Sequence, residues 1–108
     1  MNLQIQTLDN RLVTELMGKF CNLGDFITIP GNATLTYKGM KREKGFLTSS
    51  VTLEFLISFG SGVASGVLAN WLYQKLKDQA IIIKINRVEV EFSKEEILKF
   101  IEENIEIR

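Results

Sequence analysis

The chain has 108 residues, in which 13 Lys and Arg balance 13 Asp and Glu, with no histidine and one cysteine. This length fits one small domain, and we expect residues 1–108 to form a single one. One cysteine excludes an internal disulfide, and the lack of histidine removes the commonest metal ligand and the usual general base near pH 7. Balanced charge argues against a nucleic-acid partner, and we expect no cofactor and no metal.

A strand and a helix are predicted at the start of the chain. Residues 2–8 alternate apolar and polar side chains, which is typical of a strand. From Asn10 onward the apolar residues recur at helical spacing. We therefore expect a helix that is capped by Asp9 or Asn10 and ends near Gly24.

The next segments alternate again. Residues 27–29 and 33–37 flank a Pro30-Gly31 turn. We interpret them as two strand pieces joined by a tight turn or a bulge, and count them as one strand in the order of elements.

Residues 55–73 are uncharged, which raises the question of whether they cross a membrane. This run is long enough to span a bilayer, and Gly62 and Gly66 have the spacing of closely packed membrane helices. Residues 50–59 nevertheless alternate with period two, and glycine and serine make residues 60–66 less apolar. We therefore predict a strand over 50–59, then a helix over 61–78 of a water-soluble protein. The start of the chain lacks the pattern of a secretory signal, so a cytoplasmic location is expected.

Residues 81–92 predict a β-hairpin. With a two-residue loop, Asn86-Arg87, the apolar residues share one side of the sheet and Lys84 faces Glu89 on the other. Arg87 is a poor residue for a type I′ turn, so a loop one residue longer is the alternative.

A final helix comes after the hairpin. Ser93 and Glu96 match a capping box, in which each side chain binds the other residue's backbone N–H. The helix continues on an apolar stripe of Ile97, Leu98, Ile101 and Ile105. The order of elements is then β-α-β-β-α-β-β-α, of which the first six match a ferredoxin-like order. We expect an α+β domain with helices on one face of a mainly antiparallel sheet, extended by a C-terminal strand and helix.

Three segments carry residue types used in chemistry. Residues 60–66 are glycine-rich and lie between a strand and a helix, where phosphate can bind. The acidic residue that a dinucleotide site needs after the next strand is absent, so we favour close packing of the helix on the sheet. Cys21 has no histidine to activate it and is interpreted as a small, partly buried apolar residue. Residues 39–45 are basic and are interpreted as a solvated loop rather than a nucleic-acid site.

The candidate binding residues lie in the second half of the chain. An acidic flank is formed by Glu89, Glu91, Glu95, Glu102, Glu103 and Glu106. It is either a recognition face for a basic partner or the solvated side of the last helix. Apolar residues surround more than half of the central helix, so we expect the sheet and either the last helix or another subunit to cover it. Trp71 belongs to the core or, if exposed, anchors a partner.

The chain from Glu54 onward resembles small bacterial conflict-system proteins of the effector-associated constant component family. The motifs are Phe59-Gly60-Ser61-Gly62, Leu68-Ala69-Asn70-Trp71-Leu72 and Val88-Glu89-Val90-Glu91. Small immunity proteins that neutralise contact-dependent or polymorphic toxins are similar in size and character. The resemblance implies a protein-binding role without an active site.

We therefore expect an immunity protein that binds a basic toxin domain. A homo-oligomeric scaffold assembled through the central helix is the first alternative. A nucleotide-binding regulator that uses residues 60–66 is the second.

Overall fold

A computed structural model describes residues 1–9, 11–18, 22–42, 50–79 and 81–106. Within these ranges the elements are β1 (Asn2–Thr7), α1 (Leu12–Met17), β2 (Phe26–Ile29), β3 (Ala33–Arg42), β4 (Val51–Phe59), α2 (Ser65–Leu76), β5 (Ile81–Ile85), β6 (Val88–Val90) and α3 (Lys94–Glu106). The predicted α+β class is confirmed.

The strands form one antiparallel sheet in the order β2-β3-β4-β1-β5-β6. The predicted ferredoxin-like order is met only in part. Strands β3, β4, β1 and β5 fit it, with α1 and α2 as the connecting helices. The two predicted strand pieces are joined by a tight turn, which was one of the two predicted alternatives. Counting them as one strand was wrong, because the chain reverses after Ile29 and β2 pairs antiparallel with β3. The C-terminal hairpin and helix are present as expected.

One face of the sheet forms the core. Leu3 and Ile5 of β1 are fully buried, whereas Gln4 and Gln6 alternate with them and point to the opposite side. All three helices add buried residues to the same core: Leu12, Leu16, Leu68, Leu72, Ile97 and Ile101. The helices therefore lie on one side of the sheet. We call the other side the open face; on its central strands it carries Gln4, Gln6, Thr52, Glu54, Leu56, Ile82 and Lys84.

Helix α1 is shorter than predicted. It ends at Met17, because Gly18 has a left-handed backbone (φ 75°) and its N–H binds the carbonyl of Thr14 at 2.7 Å. The predicted end near Gly24 was therefore wrong. At the start of the helix, a carboxylate oxygen of Asp9 accepts the backbone N–H of Arg11 at 2.9 Å, but no side-chain hydrogen bond caps α1, so the predicted cap by Asp9 is not formed. Asn10, the other predicted cap, lies outside the described residues.

The central part of the chain changes from strand to helix, as predicted. Strand β4 ends at Phe59, and α2 begins at Ser65, later than the predicted start at residue 61. Gly62 has a positive φ of 68°, which a right-handed helix does not accommodate. Across the described ranges, no helix has both the length and the apolar character needed to cross a membrane.

The β5–β6 hairpin has the predicted register. Ile83 lies opposite Val90, and Lys84 opposite Glu89. The loop is the two-residue one, because Asn86 and Arg87 both have positive φ values, 50° and 69°, as a type I′ turn requires.

The β2–β3 turn packs against the segment that connects β4 to α2. The carbonyl of Gly31 accepts the N–H of Ala64 at 2.9 Å, and the carbonyl of Asn32 accepts the N–H of Gly60 at 2.9 Å. A Cβ on Gly31 would lie 2.8 Å from the carbonyl oxygen of Ala64. A glycine is therefore required there for the turn to approach α2.

Candidate functional site

Four of the predicted acidic residues lie together on α3. We call Glu95, Glu102, Glu103 and Glu106 the acidic α3 surface; all four side chains are exposed. With Leu98 and Lys99 they line a shallow hollow of about 320 Å³. Lys99 is the one cation in this lining, so the surface presents a net negative charge to solvent.

The position of α3 explains why this surface faces outward. The N–H of Glu96 binds the hydroxyl oxygen of Ser93 at 3.1 Å, which confirms half of the predicted capping box. The other half is absent, because the N–H of Ser93 binds the carbonyl of Glu91 at 2.8 Å instead. Ile97 and Ile101 are fully buried against the core, which fixes the rotation of the helix and directs the glutamates to solvent.

The other two predicted residues do not join the acidic α3 surface. Glu89 lies opposite Lys84, on the open face of the sheet, whereas α3 packs on the covered face. Glu91 comes directly after the last residue of β6. Both are exposed. The single acidic flank predicted from the sequence is therefore divided between two sides of the molecule.

A second hollow lies between the β5–β6 turn and α3. It has a volume of about 430 Å³ and is lined by Ile85, Asn86, Val88, Phe100, Glu103, Asn104 and Glu106. The side-chain amide of Asn86 donates to Asn104 at 2.6 Å, and Asn104 donates to the carbonyl of Phe100 at 2.8 Å. Asn86 also accepts the N–H of Asn2 at 2.8 Å. These asparagines join the turn to α3 and β1, a role that was not predicted from the sequence.

The open face carries a polar cleft of about 240 Å³. It is lined by Gln4, Gln6, Lys41, Thr52, Glu54, Ile82 and Lys84. The amide of Gln4 donates to a carboxylate oxygen of Glu54 at 3.1 Å. This cleft was not predicted from the sequence, because its residues come from four strands whose neighbours are known only once the strand order is known.

Trp71 and the central helix, α2, contact other parts of the chain. Trp71 is half-buried and packs against the core. Helix α3 packs against α2, which supplies the second cover expected for the central helix. Tyr73 of α2 stacks on Phe92 with ring centroids 5.3 Å apart, which further joins the helix to the hairpin. Val67 remains 51% exposed on α2.

The glycine-rich segment 60–66 packs against the β2–β3 turn of the same chain. A Cβ on Gly60 would lie 2.9 Å from the carbonyl oxygen of Asn32, and the side-chain amide of Asn32 donates to the carbonyl of Ser61. Gly66 has no atom within 4 Å of its Cβ position. The close packing expected here is therefore between this segment and the β2–β3 turn, rather than between α2 and the sheet.

The remaining candidates are partly outside the described residues. Cys21 and residues 43–45 of the basic segment lie outside the described ranges, whereas Lys41 and Arg42 are exposed at the end of β3. Within the described ranges, no group of three or more acidic or cysteine side chains is placed to hold a metal ion.

The one ion pair between described residues joins Arg11 and Asp9, with nitrogen and oxygen 3.1 Å apart. The hydrogen bonds from Arg11 lower the pKa of Asp9 below its ordinary value. This pair lies at the start of α1. The acidic α3 surface and the open face therefore contain charges without an ion-pair partner among the described residues.

Comparisons of this chain with protein-family models, with curated proteins and with solved structures found no match.

Proposed function

We propose that this chain is a non-catalytic protein-binding module that binds a basic partner protein through the acidic α3 surface. The observation that carries the proposal is the exposure of four glutamates around one hollow on α3. The surface is built on a helix whose opposite side is fixed in the core, so its charges keep their positions when a partner arrives.

The charges favour fast capture of a cation-rich protein. Clustered charges of one sign steer an oppositely charged partner and raise the association rate, and salt weakens the effect. Leu98 in the same hollow offers apolar contact beside the carboxylates. A basic toxin domain fits these features, and the chain then acts as a cytoplasmic immunity protein that covers the toxin. The resemblance to conflict-system proteins supports the same role.

Growth protection tests this proposal. The chain is co-expressed with the candidate toxin encoded by the neighbouring gene, and wild type is expected to restore growth. The double variant Glu102→Lys/Glu103→Lys is expected to lose protection, because it reverses the charge of the hollow. The control Glu15→Lys/Asp78→Lys makes the same change in net charge at exposed positions elsewhere and is expected to protect like wild type.

Association kinetics test the mechanism. The association rate of wild type with the purified toxin domain is expected to fall as salt is raised, and the α3 variant is expected to be slower by about tenfold or more at low salt. Full protection by the α3 variant would contradict the acidic-surface mechanism. No protection by wild type would contradict the immunity role.

Two alternatives have weaker support. A homo-oligomeric scaffold assembled through α2 would use the exposed Val67 and the half-buried Trp71, but α3 already packs against that helix. A nucleotide-binding regulator would need the 60–66 segment to open, because Gly60 contacts Asn32 closely. A thermal shift with ATP or GTP would support the latter alternative.

A further inference from the structure

The open face has an ordered pattern of charge across its strands. One row of register partners contains Glu54 of β4, Gln4 of β1, Lys84 of β5 and Glu89 of β6. On β3, Lys41 belongs to the next row, opposite Thr52. Across the sheet, the charge on the open face is therefore positive on β3, negative on β4, neutral on β1, positive on β5 and negative on β6.

This pattern changes sign about β1. Glu54 and Lys84 are the two register partners of Gln4, so each lies one strand spacing, about 4.8 Å, to either side of it. Lys41 and Glu89 lie on the strands two places from β1, again with opposite signs. Consider a second copy rotated by 180° about an axis parallel to β1. Its β5, which carries Lys84, then lies over β4 of the first copy, which carries Glu54, and its β6 lies over β3.

We infer that the open face is a homodimer interface, in which a second copy of the chain docks face to face about a two-fold axis along β1. Glu54 of one copy then meets Lys84 of the other, and the same pair forms a second time by symmetry. Gln4 lies on the axis and faces its own counterpart.

The surroundings of these residues fit this partner. Facing sheets pack about 10 Å apart, a distance that a Glu and a Lys side chain span together. Among the described residues neither Glu54 nor Lys84 has an ion-pair partner. Glu54 accepts one hydrogen bond, from the neutral amide of Gln4, which leaves its charge uncompensated, so both charges are available to another molecule. Leu56 and Ile82, which are 37% and 43% exposed, add apolar area on the same face.

A copy of the chain fits this face better than other partners. A nucleic acid or an acidic protein needs a face of positive sign, and a basic protein needs a negative one. A face that alternates in sign and reverses about its middle strand is complementary to itself. The interface is independent of the acidic α3 surface, because α3 lies on the opposite side of the sheet. Its polar character predicts a micromolar, salt-sensitive dimer.

Sedimentation equilibrium with charge-swapped variants tests the inference. Wild type is expected to pass from monomer to dimer between low micromolar and submillimolar concentration, with weaker association at high salt. Glu54→Lys and Lys84→Glu are each expected to weaken self-association by about tenfold or more, because each places like charges together twice.

Recombining the two changes makes the test specific. A mixture of the two single variants is expected to form a heterodimer, since one face is then positive and the other negative. The double variant Glu54→Lys/Lys84→Glu is expected to self-associate again. Glu102→Lys, the same charge change on α3, serves as the control and is expected to dimerise like wild type.

Three outcomes would overturn the inference. A wild type that stays monomeric throughout, or single variants that dimerise as wild type does, would each do so. So would a mixture that fails to associate although both variants retain the circular dichroism spectrum of the wild type. If Val67→Asp is the variant that loses the dimer while the open-face variants keep it, self-association takes place through α2 instead.

Discussion

The two hairpins at the edges of the sheet have turns that are held in different ways. The β2–β3 turn is packed against α2 and the segment before it, and its Gly31 has no room for a side chain. The β5–β6 turn is exposed and is joined to α3 by the side chains of Asn86 and Asn104. The first turn therefore depends on tertiary contact, whereas the second depends on local backbone preference and a few hydrogen bonds. Substitutions should separate these two kinds of support.

The largest effect is expected for Gly31→Ala. The new Cβ would meet the backbone of Ala64 at 2.8 Å, and Gly31 has a φ of +92°. Overpacking and left-handed strain together should lower the free energy of unfolding by about 3 kcal/mol. Urea denaturation measures it. Gly62→Ala is the control: it has a positive φ but open space, so it should cost only about 1 kcal/mol. Equal costs would show that α2 does not hold the turn.

A smaller loss of stability is expected for Gly60→Ala, in the segment that packs against the β2–β3 turn. Its Cβ would lie 2.9 Å from the carbonyl oxygen of Asn32, while its backbone is outside the left-handed region. The clash alone should cost about 2 kcal/mol in chemical denaturation. Gly66→Ala makes the same change in α2 with nothing nearby and should stabilise slightly, because alanine favours helix. A neutral Gly60→Ala would mean that the turn moves aside freely.

Asn104→Ala should lower the free energy of unfolding by about 1 kcal/mol, because it removes the hydrogen bonds to Asn86 and Phe100 at a partly buried position. Thermal unfolding followed by circular dichroism measures this loss. Asn70→Ala is the matched control, since Asn70 is exposed on α2 and its side chain has no hydrogen bond to another described residue. If both variants unfold alike, the asparagine contact does not stabilise the β5–β6 turn.

The smallest of the four main effects, a gain in stability, is expected for Arg87→Gly. Arg87 has a φ of 69°, a conformation that glycine adopts without strain. The variant should be more stable by about 0.5 kcal/mol, after the entropy that glycine loses on folding. Arg87→Ala keeps the strained backbone and should bring no gain. A loss of stability in Arg87→Gly would indicate that the arginine side chain supports the hairpin.

The parts of the fold that depend on local pattern were predictable. The β5–β6 register results from alternation, because a slip by one residue would bury Glu89. The start of α3 was predictable from Ser93 and from the apolar stripe of the helix. The early end of α1 was not predicted, since the apolar spacing continues past Gly18 and hides the glycine that ends the helix. The separation of β2 from β3 was left open between a tight turn and a bulge, because a reversal at Pro30-Gly31 and a bulge have the same sequence signature.

The surfaces were predictable only where one element carries them. The acidic α3 surface comes from a single helix, so its glutamates were found from their nearness in sequence alone. Glu89 was grouped with them because it is near in sequence, although the predicted hairpin already placed it on the other side of the sheet from its apolar neighbours. The charge pattern of the open face joins residues of separate strands. It becomes visible only when β1 is known to lie between β4 and β5.

The middle position of β1 has a consequence for how the chain reaches its native state. Both neighbours of β1 come much later in the sequence, so Leu3 and Ile5 have no strand to pair with until β4 has left the ribosome. Contacts between distant parts of a chain form slowly, since a long loop must close first. The nascent chain therefore exposes an unpaired apolar strand until β4 and β5 have been synthesised, and this is the interval in which chaperones would bind it.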